Sequence, residues 1–172
     1  SMGPRHWRAV AEGAGNLDVV LPGLQAIVDD ELEHLDRHWP TDLPTHVIHA
    51  DLFPDNVLML GDRVTGLIDF YFAASDFRAY DLVITHASWA FSADGKQCDP
   101  ARAKALMHGY AREVTLSDAE IAALPLLARG ASLRFLLTRA HDWVHTPADA
   151  LVTRKDPSPF LARLQRYRAA DA

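Results

Sequence analysis

A single cysteine, Cys98, serves the whole 172-residue chain. An internal disulfide is excluded, which fits a reducing compartment and a cytoplasmic protein. No uninterrupted run of about 18 apolar residues occurs, so no transmembrane helix is expected. No basic segment leads into an apolar one at the N-terminus, so no signal peptide is visible. Positive charge is in deficit: Lys+Arg is 17 against 23 Asp+Glu, a formal net charge of −6. That balance removes any general attraction to nucleic acid or to an anionic membrane. Internal repeats and low-complexity tracts are lacking too. What remains is ordinary globular material, 49% hydrophobic and 23% charged, enough at 19.0 kDa for one domain with its own core. Ser1-Met2 reads as a vector scar, which leaves residues 3–172 as the domain.

Hydrophobic spacing divides the chain into a mostly helical α+β pattern. Residues 3–20 show scattered glycines and read as a loop with a short helix at Trp7–Glu12. Pro22 can start a helix, and Leu24, Ile27, Val28, Leu32, Leu35 and Trp39 follow at helical spacing up to Pro40. The period then changes, and 46–49, 57–60 and 65–70 read as strands, the last two joined by a turn at Gly61-Asp62-Arg63. Asp76 is a candidate cap for a helix over 77–92, and Asp99-Pro100 opens another ending near Glu113. Ser117-Asp-Ala-Glu120 is a capping-box pattern. After it Pro125 predicts a short helix and then a long one to residue 145, with Leu133, Leu136, Leu137, Ala140 and Val144 inward. Asp156-Pro157 starts the last helix.

The segment His49-Ala-Asp51-Leu-Phe-Pro-Asp55-Asn56, followed by Ile68-Asp69-Phe70, carries the chemistry. Phosphoryl transfer asks little of a protein: a carboxylate to take the proton of the attacking hydroxyl, and oxygen ligands to hold Mg²⁺ on the phosphates. Asp51 suits the first task, and Asn56 and Asp69 the second, as hard donors for a hard cation. A turn centred on Asp62-Arg63 would set Leu60 opposite Thr65, Leu58 opposite Leu67 and Asn56 opposite Asp69, with facing Cβ atoms about 5 Å apart. Apolar residues on both faces predict that this antiparallel hairpin is largely buried. Asp55 lies in the same acidic loop, and the pattern gives it no proton or metal role.

Nine histidines invite a metal reading. His34/His38 and His141/His145 are i, i+4 pairs on predicted helices, a spacing able to chelate zinc, but sequence sets no third ligand beside either. A surface or rim position is the simpler reading. Trp89 and Phe91 read as core.

These strings resemble the aminoglycoside phosphotransferase/choline kinase superfamily, a branch of the protein-kinase-like fold. Val47–Val57, Gly66–Ala73 and Tyr80-Asp81-Leu82 carry the resemblance, with Leu124–Gly130, Arg134–Arg139 and Lys155-Asp-Pro157, and they narrow it to the homoserine kinases. It runs from about residue 5 to 168. It implies ATP- and Mg²⁺-dependent phosphorylation of the hydroxyl of L-homoserine, for threonine biosynthesis. By position, Asp51 is similar to the catalytic base, and Asn56 and Asp69 to the metal ligands. Asp81 resembles the acid that braces the catalytic loop, and His49 its packing partner. Late helices of such lobes help to form the acceptor pocket. Arg134 is therefore a candidate partner for a substrate carboxylate and Trp143 a candidate pocket wall. The chain departs at Ala74-Ser75, where the family carries a Cys-Asn-like pair that bears on substrate contacts.

Family members also carry an N-terminal lobe with a glycine-rich loop and a strand lysine that grip the nucleotide. Only 48 residues precede His49, and no lysine occurs before Lys96. The chain thus looks like the C-terminal lobe alone, inactive by itself. Apolar surface around Phe53, Val57, Leu58 and Phe70 would then be exposed and favour self-association. Two other readings stay open: a kinase for another small alcohol, such as choline or an aminoglycoside, and a non-enzymatic binding or assembly module.

Overall fold

The structure, a computed structural model, describes residues 3–147 and 154–171. Ser1-Met2, read as a vector scar, lies outside them. Six helices and four short strands follow in the order α1 (Pro4–Ala14), α2 (Leu24–His38), β1 (Thr45–Ile48), β2 (Val57–Leu60), β3 (Arg63–Leu67), β4 (Ala74–Phe77), α3 (Arg78–Trp89), α4 (Pro100–Glu113), α5 (Asp118–His145) and α6 (Ser158–Asp171). The expected mostly helical α+β class is observed.

The core forms around α5, against which α1, α2, α3 and α6 pack. Leu127, Ala131, Leu133, Leu136, Leu137 and Ala140 are all buried on it. Val144, expected inward, is exposed near the helix end. By length and composition α5 could cross a membrane, although no uninterrupted apolar run exists; 61% of its most apolar window is instead buried within the fold. Its arginines have partners there: Arg129 clamps the fully buried Glu31 of α2 through two bonds of 2.8 and 2.9 Å. Gly130 lets Trp7 and Trp39 come in edge-to-face, their centroids 4.9 Å apart. A Cβ there would stand 2.4 Å from the Trp39 ring and 2.7 Å from that of Trp7.

Helix ends follow local chemistry. Asp99 accepts from the Ala101 and Arg102 amides, and Ser117 and Glu120 complete their reciprocal box. Glu120 also takes two bonds from Arg78 of α3, which hold its carboxyl down at about 2.

Five further expectations need correction. Residues 4–14 form a full helix, not a short one in a loop, because Trp7, Ala11 and Ala14 share one buried face. Pro125 does not divide α5; it forfeits one amide bond at an exposed position, and the helix, buried from Leu127 to Leu137, runs through it. Asp76 is not the N-cap of α3, a place taken by Phe77, from whose N–H it accepts at 2.8 Å; it sits in β4, which pairs antiparallel with β1 (Thr45↔Phe77 to Ile48↔Ala74). In the hairpin the turn is Gly61-Asp62, so Leu60 faces Arg63 and Leu58 faces Gly66, with a bulge between Leu58 and Met59. Finally, the hairpin is exposed rather than buried, with Leu60 at 76% and Tyr71, just beyond it, at 86%.

Candidate active site

The loop after β1 is held by side chains of α3 and α5. Asp81, in the first turn of α3, accepts from the backbone N–H of His49 (3.1 Å) and of Ala50 (2.8 Å). The Ala50 carbonyl oxygen accepts from Arg134 Nη1 at 2.5 Å. Two residues on, the Leu52 carbonyl oxygen accepts from Trp89 Nε1 at 2.9 Å. Trp89 is therefore more than core filler, a role that composition alone hides. His49 is buried against Phe70, its Nε2 donating to the Ile68 carbonyl oxygen (2.9 Å) and its Nδ1 accepting from the Asp51 N–H (3.3 Å).

Asn56 is buried at the base of the hairpin. Its Nδ2 donates to the Asp51 carbonyl oxygen (2.7 Å) and to the Asp51 carboxylate (3.3 Å). Oδ1 then has no protein donor among the described residues. Asp69 has left-handed backbone (φ 63°) and no hydrogen bond to its carboxylate among the described residues. The expected Asn56–Asp69 facing pair is displaced by the register: the Ile68 N–H meets the Asn56 carbonyl oxygen at 3.0 Å. Both side chains nevertheless open into one cavity. Burial lifts the Asp51 carboxyl above its usual range. The charge of Arg134 and the Asn56 bond work against that lift, while neighbouring Asp69 adds to it.

The cavity holds about 320 Å³. Asp51, Phe53, Asp55, Asn56, Asp69 and Phe72 form one wall. Helix α5 supplies the opposite wall with Arg134, Phe135, Thr138, Arg139 and Asp142, and Arg154 and Lys155 close it. Asp55, given no role by the pattern, thus faces the same space. Arg134 sits on the wall but is committed to Ala50 and to the faces of Phe135 and Phe72, 4.6 and 5.2 Å from its guanidinium carbon. Trp143 is not brought to the cavity; it is 37% exposed and lies under Arg154. Arg139, Asp142, Arg154 and Lys155 went unremarked as site residues, although Arg139 and Lys155 stand in the strings that carry the resemblance. Sequence alone cannot bring residue 155 back against α5.

The hard-oxygen donor set of Asn56 Oδ1 and Asp69 fits Mg²⁺, which takes one or two protein oxygens and completes its shell with phosphate and water. The histidine pairs do not make a zinc site. One nitrogen of His38 and one of His145 is used on a backbone carbonyl, and no group of three His, Cys, Asp or Glu side chains able to hold a metal occurs among the described residues.

The family model for the phosphotransferase enzyme family matches residues 2–115, which contain the whole loop, hairpin and bracing helix. The chain belongs to that family. It is also 50% identical over 166 residues to a homoserine kinase of Allorhizobium ampelinum, an alignment covering 96% of this chain and 51% of the relative. A homoserine kinase of Nitrobacter hamburgensis is 55% identical over 160 residues, 92% of this chain and 49% of the relative. One of Gluconobacter oxydans is 50% identical over 173 residues, 99% of this chain and 54% of the relative. The chain therefore spans about half the length of the curated relatives it matches.

Proposed function

We propose that the chain is the kinase-like, acceptor-binding lobe of a cytoplasmic enzyme that transfers the γ-phosphoryl group of ATP to the hydroxyl of L-homoserine. The observation that carries this reading is 50–55% identity, across nearly the whole chain, to proteins named homoserine kinase. The cavity supports it. Asp51, desolvated and raised in basicity, accepts the proton of the acceptor hydroxyl. Its carboxylate is aimed by the Asn56 amide, and its backbone is held at its own N–H by His49 and at the preceding Ala50 by Asp81 and Arg134. Asn56 Oδ1 and Asp69 would hold Mg²⁺, which when bound offsets charge on the phosphates. Phe53 and Phe135, 4.9 Å apart edge-to-face, give the cavity an apolar stretch of lining.

The test is an ATP-coupled assay of the native-length protein with L-homoserine, choline and an aminoglycoside, with phosphorus NMR of the product. Magnesium-dependent phosphorylation of homoserine at about 1–100 s⁻¹ is expected. A protein that phosphorylates choline or the aminoglycoside as well as homoserine, or homoserine not at all, refutes the reading.

A further inference from the structure

Four cationic side chains line the cavity and none makes an ion pair among the described residues; Arg134 and Arg154 are spent on the carbonyl oxygens of Ala50 and Thr146, which leaves Arg139 and Lys155. Arg139 is half-buried on α5; its Nη1 donates to the Asp156 carbonyl oxygen (2.9 Å), and its guanidinium carbon lies 4.6 Å from the centre of the Phe160 ring. It has no ion pair among the described residues. Lys155 lines the same cavity with neither hydrogen bond nor ion pair among the described residues. A guanidinium half-withdrawn from water with no direct ion pair carries a cost that an incoming anion relieves. Its planar donor face matches a carboxylate, whereas Arg134, the other arginine on that helix wall, is spent on Ala50.

An acid stands at a fixed offset from this pair. Asp142 lies three residues beyond Arg139 on α5, where Cβ atoms are about 5–6 Å apart. It lines the cavity, and its nearest cationic candidate is His141 Nδ1 at 3.7 Å. Anion and cation subsites that close together suit a ligand bearing a carboxylate and an ammonium on one carbon. Asp51 stands close enough for its charge to act on Arg139.

We propose that Arg139 and Lys155 bind the α-carboxylate, and Asp142 the α-ammonium, of an amino-acid acceptor, and so direct its side-chain hydroxyl to Asp51. The assignment rests on the cavity being the acceptor site of a phosphotransferase, and it names what selects an amino acid over a simple alcohol.

The native-length protein decides it. Lys155→Met, Arg139→Lys and Asp142→Asn are assayed on L-homoserine and two truncated ligands. One is 3-amino-1-propanol, which lacks the carboxylate, and the other is 4-hydroxybutanoate, which lacks the ammonium; each is read as substrate or as competitive inhibitor. The two cation variants should raise KM for homoserine roughly 10- to 100-fold, as loss of a charge-assisted hydrogen bond does. They should leave 3-amino-1-propanol within about twofold. Asp142→Asn should weaken homoserine similarly and spare 4-hydroxybutanoate. Equal losses on ligands with and without the group overturn the assignment, because the side chain then shapes the cavity without touching the substrate. A calorimetric titration with L-2-aminobutanoate, which has both charged groups and no hydroxyl, separates this from the proposed reaction. Binding by the wild type that is lost in Lys155→Met supports the subsite even if homoserine is not phosphorylated. No binding by the wild type overturns it, whatever the turnover.

Discussion

Replacing Asp81 by alanine should loosen the loop that carries Asp51 while leaving every cavity side chain chemically unchanged. Asp81 accepts two backbone amides, from His49 at 3.1 Å and from Ala50 at 2.8 Å. A hydrogen bond to a charged group contributes about 1.5–3 kcal/mol, so the pair is worth about 3–6 kcal/mol. Part of that is spent on conformation: Ala50 is held at φ 61°, and a left-handed alanine costs about 1–2 kcal/mol. Freed of Asp81, Ala50 can return to negative φ and recover that strain. The net loss should be about 2–4 kcal/mol, a large share of a stability of about 5–15 kcal/mol. Asp51 would shift with the loop, and a displacement of about 1 Å in a reacting group costs roughly 10²-fold in rate. Urea unfolding followed by tryptophan fluorescence measures the first quantity, and homoserine turnover in the native-length protein the second. Amide exchange at His49 and Ala50 locates the change. A loss under about 1 kcal/mol with both amides still protected would show that Asp81 does not hold the loop.

Asp51→Asn should lower kcat by about 10²–10⁴-fold, the usual share of a general base, without loss of stability. Burial raises the Asp51 carboxyl, so its charge opposes folding above that raised value, and the variant's unfolding midpoint near pH 7 should match or exceed the wild type's; a clear drop would contradict this. Gly130→Ala should destabilise by about 1–3 kcal/mol or more in urea unfolding, since its Cβ meets two tryptophan rings; a neutral result would mean that the rings move aside freely. Burial lowers His86, whose Nδ1 pairs with the Tyr167 hydroxyl at 2.7 Å, so the unfolded chain binds the proton more readily. Stability from this group is then complete above its unfolded value near 6.5 and is lost as pH falls below it towards the folded value. His86→Gln should flatten the stability–pH curve in that window, and an unchanged slope would count against it.

Elements punctuated by a residue with one structural meaning could be read from sequence. Asp99-Pro100, Ser117 with Glu120, and Asp156-Pro157 each mark a helix start through bonds between near neighbours. β4 could not, because Ala74-Ser-Asp-Phe77 has no alternation and becomes a strand only against β1, almost thirty residues earlier. Placing the turn one residue late shifted the hairpin register, since left-handed Gly61 closes it with Asp62 and the bulge then absorbs a residue. In the site, Asp51, Asn56 and Asp69 stood out because oxygen donors at those offsets are rare by accident, and all three open into the cavity. Arg139 and Asp142 did not, because single polar residues on a helix read as solvated until the fold brings residues 51–56 and 154–155 to the same cavity.

Backbone strain also marks this region. Among the described residues only two other than glycine have positive φ, Ala50 and Asp69, at 61° and 63°. One precedes Asp51, and the other is the carboxylate on the same wall. Strained residues persist where surrounding bonds over-determine them. Ala50 is held at both its N–H and its carbonyl, by Asp81 and Arg134. Asp69 follows Ile68, whose N–H is fixed by Asn56 and whose carbonyl is fixed by His49. The His49 ring joins the two, donating from Nε2 to Ile68 and accepting at Nδ1 from Asp51. That arrangement requires the neutral Nε2–H tautomer, because a proton on Nδ1 would meet the Asp51 N–H head-on. The imidazole therefore couples the loop of Asp51 to the hairpin of Asp69. It bonds the Asp51 N–H on one side and the Ile68 carbonyl oxygen on the other, so the backbone segments that carry the two carboxylates are tied to each other.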